Sequence, residues 1–310
     1  MNKPARTRQG RAADIALLVL ALLPILCAIA LRILTTPAED GIQIHGAFIY
    51  FTIPLPFGGL PITESQVNSL AVTLSVLFLC LFLTRGMTPR GGGKRQHFAE
   101  LIVGFTDKLV KNNMGESFSG FSPFVGAMIG LSAFSSLLSL LGLYPPTSDI
   151  NIVGGWALLV FFLITYYKMK CGPLHYLRSF ADPPLLTPLN VISEVATPLS
   201  MAFRHYGNVL SGSVISVLLA AGLSTLSQLV LGWLPGVLGE FPLLRIGIPA
   251  ILSLYFDLFS GCLQAYIFAM LTMLYVSGAF PAQDYEKMLQ KRRARKEKKA
   301  ERRLQQEAAR

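Results

Sequence analysis

Charge is scarce in this sequence. Asp, Glu, Lys and Arg make up 14% of its 310 residues, while 52% are hydrophobic. Soluble domains carry about a quarter charged residues, and the mean hydropathy here is +0.52. That balance places the chain among integral membrane proteins. Cysteine is equally sparse: Cys27, Cys80, Cys171 and Cys262 form no C-x-x-C pair, and three of them sit within apolar runs. They read as small buried hydrophobes, without a disulfide framework or a metal site. Catalytic motifs are missing as well, with no His-Glu-x-x-His and no Gly-x-Ser-x-Gly. Gly91-Gly92-Gly93-Lys94 imitates part of a phosphate loop, but Arg95 stands where Ser or Thr is required and Thr88 where the first glycine belongs. These absences leave no cofactor or metal to be expected, and favour a translocating role over a catalytic one.

What charge there is, is mostly positive. The net charge is +10, and between Glu286 and Arg310 eleven Lys/Arg face four acids. No aromatic-interleaved motif accompanies that tail, so nucleic acid is not the expected partner. It reads as a solvated inner end, against anionic lipid or a neighbouring subunit.

Long apolar runs organise the rest. Lys3, Arg6, Arg8 and Arg11 precede a run from Ile15 to Leu34, long enough to span ~30 Å of hydrocarbon. Ala28-Ile29-Ala30 resembles a signal-peptide cleavage site, but the run continues past it through Arg32, and a retained helix is the reading adopted. Residues 1–36 thus form a basic tail and first membrane helix, and the Pro- and Gly-rich residues 37–66 an external loop. A second span, about Val67 to Leu83, ends in an inner loop carrying Arg85, Arg90, Lys94 and Arg95, within a unit at 67–96. Within 97–115, Phe98, Leu101, Ile102, Phe105, Leu109 and Val110 fall at helical spacing, which predicts an amphipathic helix on the inner surface or against a partner. Residues 122–170 hold a helical hairpin, with spans at about Phe124 to Leu143 and Val153 to Tyr167. Lys168, Lys170, His175 and Arg178 put the following loop inside.

Residues 188–280 carry two over-long stretches, about Asn190 to Leu223 and Ile246 to Ser277, bent at Pro198 and Pro249 and steeply tilted. The basic tail is 281–310. The expected fold is an all-α polytopic membrane protein of about six membrane helices, with an amphipathic surface helix and both termini cytoplasmic.

One charge stands out. Arg204 lies within an apolar helix, where an arginine costs ~2.5–3.5 kcal/mol on insertion scales and stays protonated. Ser193, Thr197, Ser200, Arg204, Asn208 and Ser211 recur at spacings 4, 3, 4, 4 and 3, along one face. Such a stripe lines an aqueous interface or forms a polar seam between helices. The last helix repeats the pattern with Asp257, Gly261 and Gln264. Asp257 lies outside Gln264 by about 10 Å at ~1.5 Å per residue. A buried Arg204–Asp257 ion pair is the alternative to two water routes.

Pro188-Leu189-Asn190-Val191-Ile192-Ser193-Glu194, Pro198-Leu199-Ser200 and Arg204-x-x-Gly207-Asn208 together resemble the signature of subunit a of F-type ATP synthases. Leu263-Gln264-Ala265-Tyr266-Ile267-Phe268 with Leu271-Thr272 and Tyr275 is similar to that family's last helix. Glu100-Leu101-Ile102-Val103-Gly104-Phe105 and Asp149-Ile150-Asn151 are similar to its earlier landmarks. The resemblance covers roughly 64–280.

It implies a non-catalytic stator channel in the FO sector of a rotary motor, in a bacterial plasma membrane. The implied partners are a c-subunit ring, b-type peripheral-stalk subunits and membrane lipid. The implied ion is H⁺, with Na⁺ left open by this chain. Arg204 matches the arginine that faces the carboxylates of the ring. Many members carry a glutamate nine positions after the arginine, where this chain has Ser213. Many carry a histidine seven positions before the glutamine, where it has Asp257. The resemblance therefore implies an outer pathway of Asp257, Gln264, Asn208 and Ser213, with Asp257 as the acidic relay. The inner pathway is Asn190, Glu194, Thr197 and Ser200. His205, directly after the arginine, is either an added relay or simply tolerated. The competing reading is a secondary ion or anion transporter with an Arg204-centred site, which calls for internal repeats that the sequence does not display convincingly.

Overall fold

The structure is a computed structural model that describes residues 8–35, 46–56, 58–88, 93–180, 184–231, 251–252 and 254–280. The start expected at Ile246, the bend at Pro249 and the basic tail 281–310 lie outside the described residues. Among the described residues, six helical segments are long and apolar enough to cross a membrane.

Helices α1 (Arg8–Thr35) and α2 (Glu64–Thr84) run side by side. Ala28, Ala71 and Val72 bring their backbones close, and Leu138 and Leu143 close the cluster. α2 begins three residues before the expected Val67, because Gln66 reaches back to accept the Thr63 N–H at 3.4 Å, which is half of a capping box. The segment expected to be an irregular loop forms an antiparallel hairpin, β1 (Ile49–Leu55) with β2 (Gly58–Thr63). Its prolines hid it in the sequence. In a two-stranded sheet every strand is an edge, so Pro54 and Pro61 are tolerated.

α3 (Lys94–Met114) is the expected amphipathic helix. Its buried seam is Ala99, Thr106, Val110 and Met114, while Phe98, Leu101, Ile102 and Phe105 remain exposed. The apolar stripe read from the sequence therefore faces mostly outward, and the small side of the helix packs against α4.

The expected hairpin follows as α4 (Ser122–Leu137) and α5 (Ile150–Lys168). Gly142, at φ +75°, ends the short 3₁₀ extension of α4, as a left-handed residue should. Asp149 caps α5 by accepting the Asn151 N–H at 2.9 Å. A short α6 (Pro173–Phe180) leads to α7 (Thr187–Leu231), which passes through Pro198 without ending. Its 45 residues at ~1.5 Å each give about 67 Å, more than twice the hydrocarbon thickness. Leu254–Ser260 is π-helical and continues into α8 (Gly261–Ala279). α8 is central: Phe268, Ala269, Met273 and Val276 join Val110, Val125, Val160, Ile164 and Met201 in the main core.

Candidate functional site

The site is built on the outward side of α7. Met201, Ala202 and His205 are buried against other helices, which turns Ser193, Ser200, Arg204, Asn208 and Ser211 to the exposed side. The stripe read from spacing is therefore a real face. Thr197 is half-buried, and its hydroxyl donates to the Ser193 carbonyl at 2.9 Å. Ser213 is half-buried and likewise donates to its own helix, at Leu210 O, 2.8 Å. Both hydroxyls are satisfied locally, as is usual within a helix. Among the described residues no carboxylate pairs with Arg204.

One turn beyond Arg204, Asn208 Nδ2 donates to Gln264 Oε1 at 2.7 Å. Gln264 is 2% exposed, so this bond satisfies a deeply buried amide while joining α7 to α8. The pair brings together two residues that the sequence had placed on separate helices. For Asp257 the picture changes. Its backbone lies in the π-helical stretch, where each turn is wider than 3.6 residues. The face shared by Gly261 and Gln264 belongs to the regular α8, whereas Asp257 stands on the π-helical stretch before it. The Asp257 side chain lies outside the described residues.

Toward the N-terminal end of α7, Lys168 Nζ lies 2.5 Å from Glu194 Oε2. The sequence had used Lys168 only to orient the chain. Tyr176 donates to Glu194 Oε1 at 3.3 Å. Burial, and then the Glu194 carboxylate, raise the Tyr176 phenol above its ordinary range, so it keeps the proton it donates. Lys168, Glu194, Thr197 and Tyr275 line a cavity of about 220 Å³, together with the apolar Ile164 and Leu274. Asn190, one turn before Glu194, is half-buried.

A second polar cluster, unread in the sequence, sits at the opposite end of the helices. Glu64 is 1% exposed, accepts from Arg32 at 2.9 Å and also from the Tyr144 N–H at 3.2 Å. Ser65 donates to Asp149, and Asn68 Nδ2 to the Tyr144 carbonyl at 2.8 Å. A glutamate opening an apolar run was the available signal, but its partner is 32 positions away. Among the described residues no group of three His, Cys, Asp or Glu is placed to hold a metal ion.

A sequence model of the ATP synthase A chain family matches residues 67–277. The chain is 34% identical to ATP synthase subunit a of Bacillus pumilus over 235 residues, covering 71% of this chain and 93% of the relative. It is 33% identical to the subunit a of Bacillus subtilis over 235 residues, covering 70% and 93%. The Macrococcus caseolyticus protein of the same name is 32% identical over 228 residues, covering 69% and 88%. The order of its membrane helices, the arginine-bearing face of α7 and these matches together make this chain a member of the ATP synthase A chain family.

Proposed function

We infer that this chain is the stator channel subunit of a membrane-embedded FO sector, coupling ion translocation to rotation of a c-subunit ring. The observation that carries the reading is Arg204, exposed on the polar side of an over-long helix with no carboxylate paired to it among the described residues. A fixed cation at that position favours the ionised form of a carboxylate passing in front of it and so releases its ion. Because the guanidinium keeps its charge, it also bars direct passage of cations from one side to the other. Ions then cross only by riding the ring, and that couples flow to torque.

In this reading the outer route reaches the centre through Asp257, Ser213, Asn208 and Gln264. The inner route leaves past Ser200, Thr197, Glu194 and Asn190 through the cavity beside Lys168. Both termini face the cytoplasm of a bacterial cell, the translocated ion is H⁺ or Na⁺, and b-type stalk subunits hold the chain against the ring's torque. Purification in mild detergent followed by mass spectrometry tests the assembly. The reading expects small hairpin subunits and ATP-hydrolysing partners to co-purify. Recovery of this chain alone, with solute uptake in liposomes, contradicts it.

A further inference from the structure

We propose that His205 is a positioning residue for Arg204: its imidazole keys α7 into three other helices and sets the rotation of α7 at the level of the arginine. The proposal rests on the stator reading of Arg204 given above. His205 is 0% exposed. Its Nε2 lies 3.4 Å from Ser132 Oγ on α4. Its ring meets Trp156 of α5 edge-on, at 6.1 Å between centroids, and Phe268 of α8 edge-on, at 5.4 Å. Trp156 and Phe268 also touch each other, at 6.4 Å, so the imidazole sits in a preformed aromatic corner. Edge-to-face contacts of this kind are directional.

The residues of α7 that flank His205 restrain rotation much less. Ala202 is small, Met201 is flexible, and Gly207 has open space where a side chain would be. The Asn208–Gln264 bond holds the helix one turn further on, from an exposed position at the edge of the face. His205 is the planar, shaped element of the buried side, and Arg204 is its immediate neighbour, ~100° around the helix. With side chains the helix has a radius of about 5–6 Å, so a rotation of ~20° displaces a side-chain tip by about 2 Å. Displacements of even ~1 Å at a reacting group can cost about a hundredfold in rate. His205 Nδ1 has no hydrogen-bond partner among the described residues. The ring is thus held chiefly by shape, which predicts that another flat ring will serve.

The test compares His205→Ala and His205→Phe in the whole reconstituted complex, reading ions pumped per ATP hydrolysed and normalising to assembled complex. His205→Ala is expected to lower that ratio by about tenfold or more, while His205→Phe, which keeps the ring between Trp156 and Phe268, stays within about twofold. In a chain with its native cysteines replaced, the His205→Ala background should also expose Ala202→Cys to maleimide. If His205→Ala fails to assemble, His205→Leu, similar in volume but not flat, carries the same comparison. A Phe variant as defective as the Ala variant would make the imidazole an ion relay and overturn the proposal. So would an Ala variant that loses complex but keeps its ratio, or one that is unchanged. Arg204→Ala is run in parallel. Pumping retained there removes the stator reading itself, whereas pumping lost there with normal His205 variants removes only the positioning role.

Discussion

Lys168 and Glu194 are separated by 26 positions, yet their charged atoms meet at 2.5 Å beside the cavity they share with Thr197. Removing the lysine strands a carboxylate whose side chain is only 10% exposed, a costly arrangement in a poorly solvated place. Lys168→Met is therefore expected to slow ATP-driven pumping several-fold in inverted vesicles, with most of the rate restored by Lys168→Arg. Asp257→Asn should abolish both pumping and ATP synthesis if that residue is the outer acid relay, and normal synthesis in this variant would refute that role. At this scale the sequence was informative where one helix carries the whole pattern. Arg204 and its serines recur every three or four positions, so their common face could be read directly. Lys168, Tyr176, Glu64 and Arg32 could not be read, because each acquires its meaning from a partner on another element.

Among the helices, the same distinction decides what spacing can tell. The α7 face follows from a regular 3.6-residue turn. Asp257 stands in a stretch that is π-helical, and nothing in Leu254–Ser260 advertises a wider turn. The hairpin at Ile49–Thr63 was hidden by its own prolines, which only edge strands accept. Gly261, by contrast, was noted in the sequence for its place on the polar face, and its structural role is different. A Cβ added there would lie 2.5 Å from Ser136 Cβ and 2.9 Å from its Oγ, so this glycine permits α8 to approach α4. Gly261→Ala should destabilise the protein by ~1–3 kcal/mol through overpacking. Thermal unfolding of the purified complex measures this, and Ser136→Gly in the same chain should recover part of the loss. A silent Gly261→Ala would mean that the two helices are free to separate.

For the molecule as a whole, the number and order of membrane helices were legible, because ~20-residue apolar runs leave few alternatives. How α1 joins the body was not. The family match begins at residue 67, but α1 is tied to the start of α2, just ahead of the match, by Arg32–Glu64 at 2.9 Å, and to the matched part itself by Asp14–Arg95 at 3.2 Å near its other end. Ala28, within the cleavage-like triplet, is 3% exposed in the α1–α2 contact. Arg32→Met leaves Glu64 buried without its counter-charge. Because Arg32 is about one-third exposed, the expected cost is ~1–3 kcal/mol, below that of a fully buried pair. It should appear as a lower melting temperature of the assembled complex.

The account depends most on Arg204 being the barrier between two ion routes. The most direct measurement is ATP-driven acidification by proteoliposomes holding the complete complex with Arg204→Ala, scored beside its ATP hydrolysis. The account predicts that hydrolysis persists, that no ion gradient forms, and that a passive leak opens through the uncharged centre. A complex with Arg204→Ala that still builds a gradient near the parental rate would contradict it.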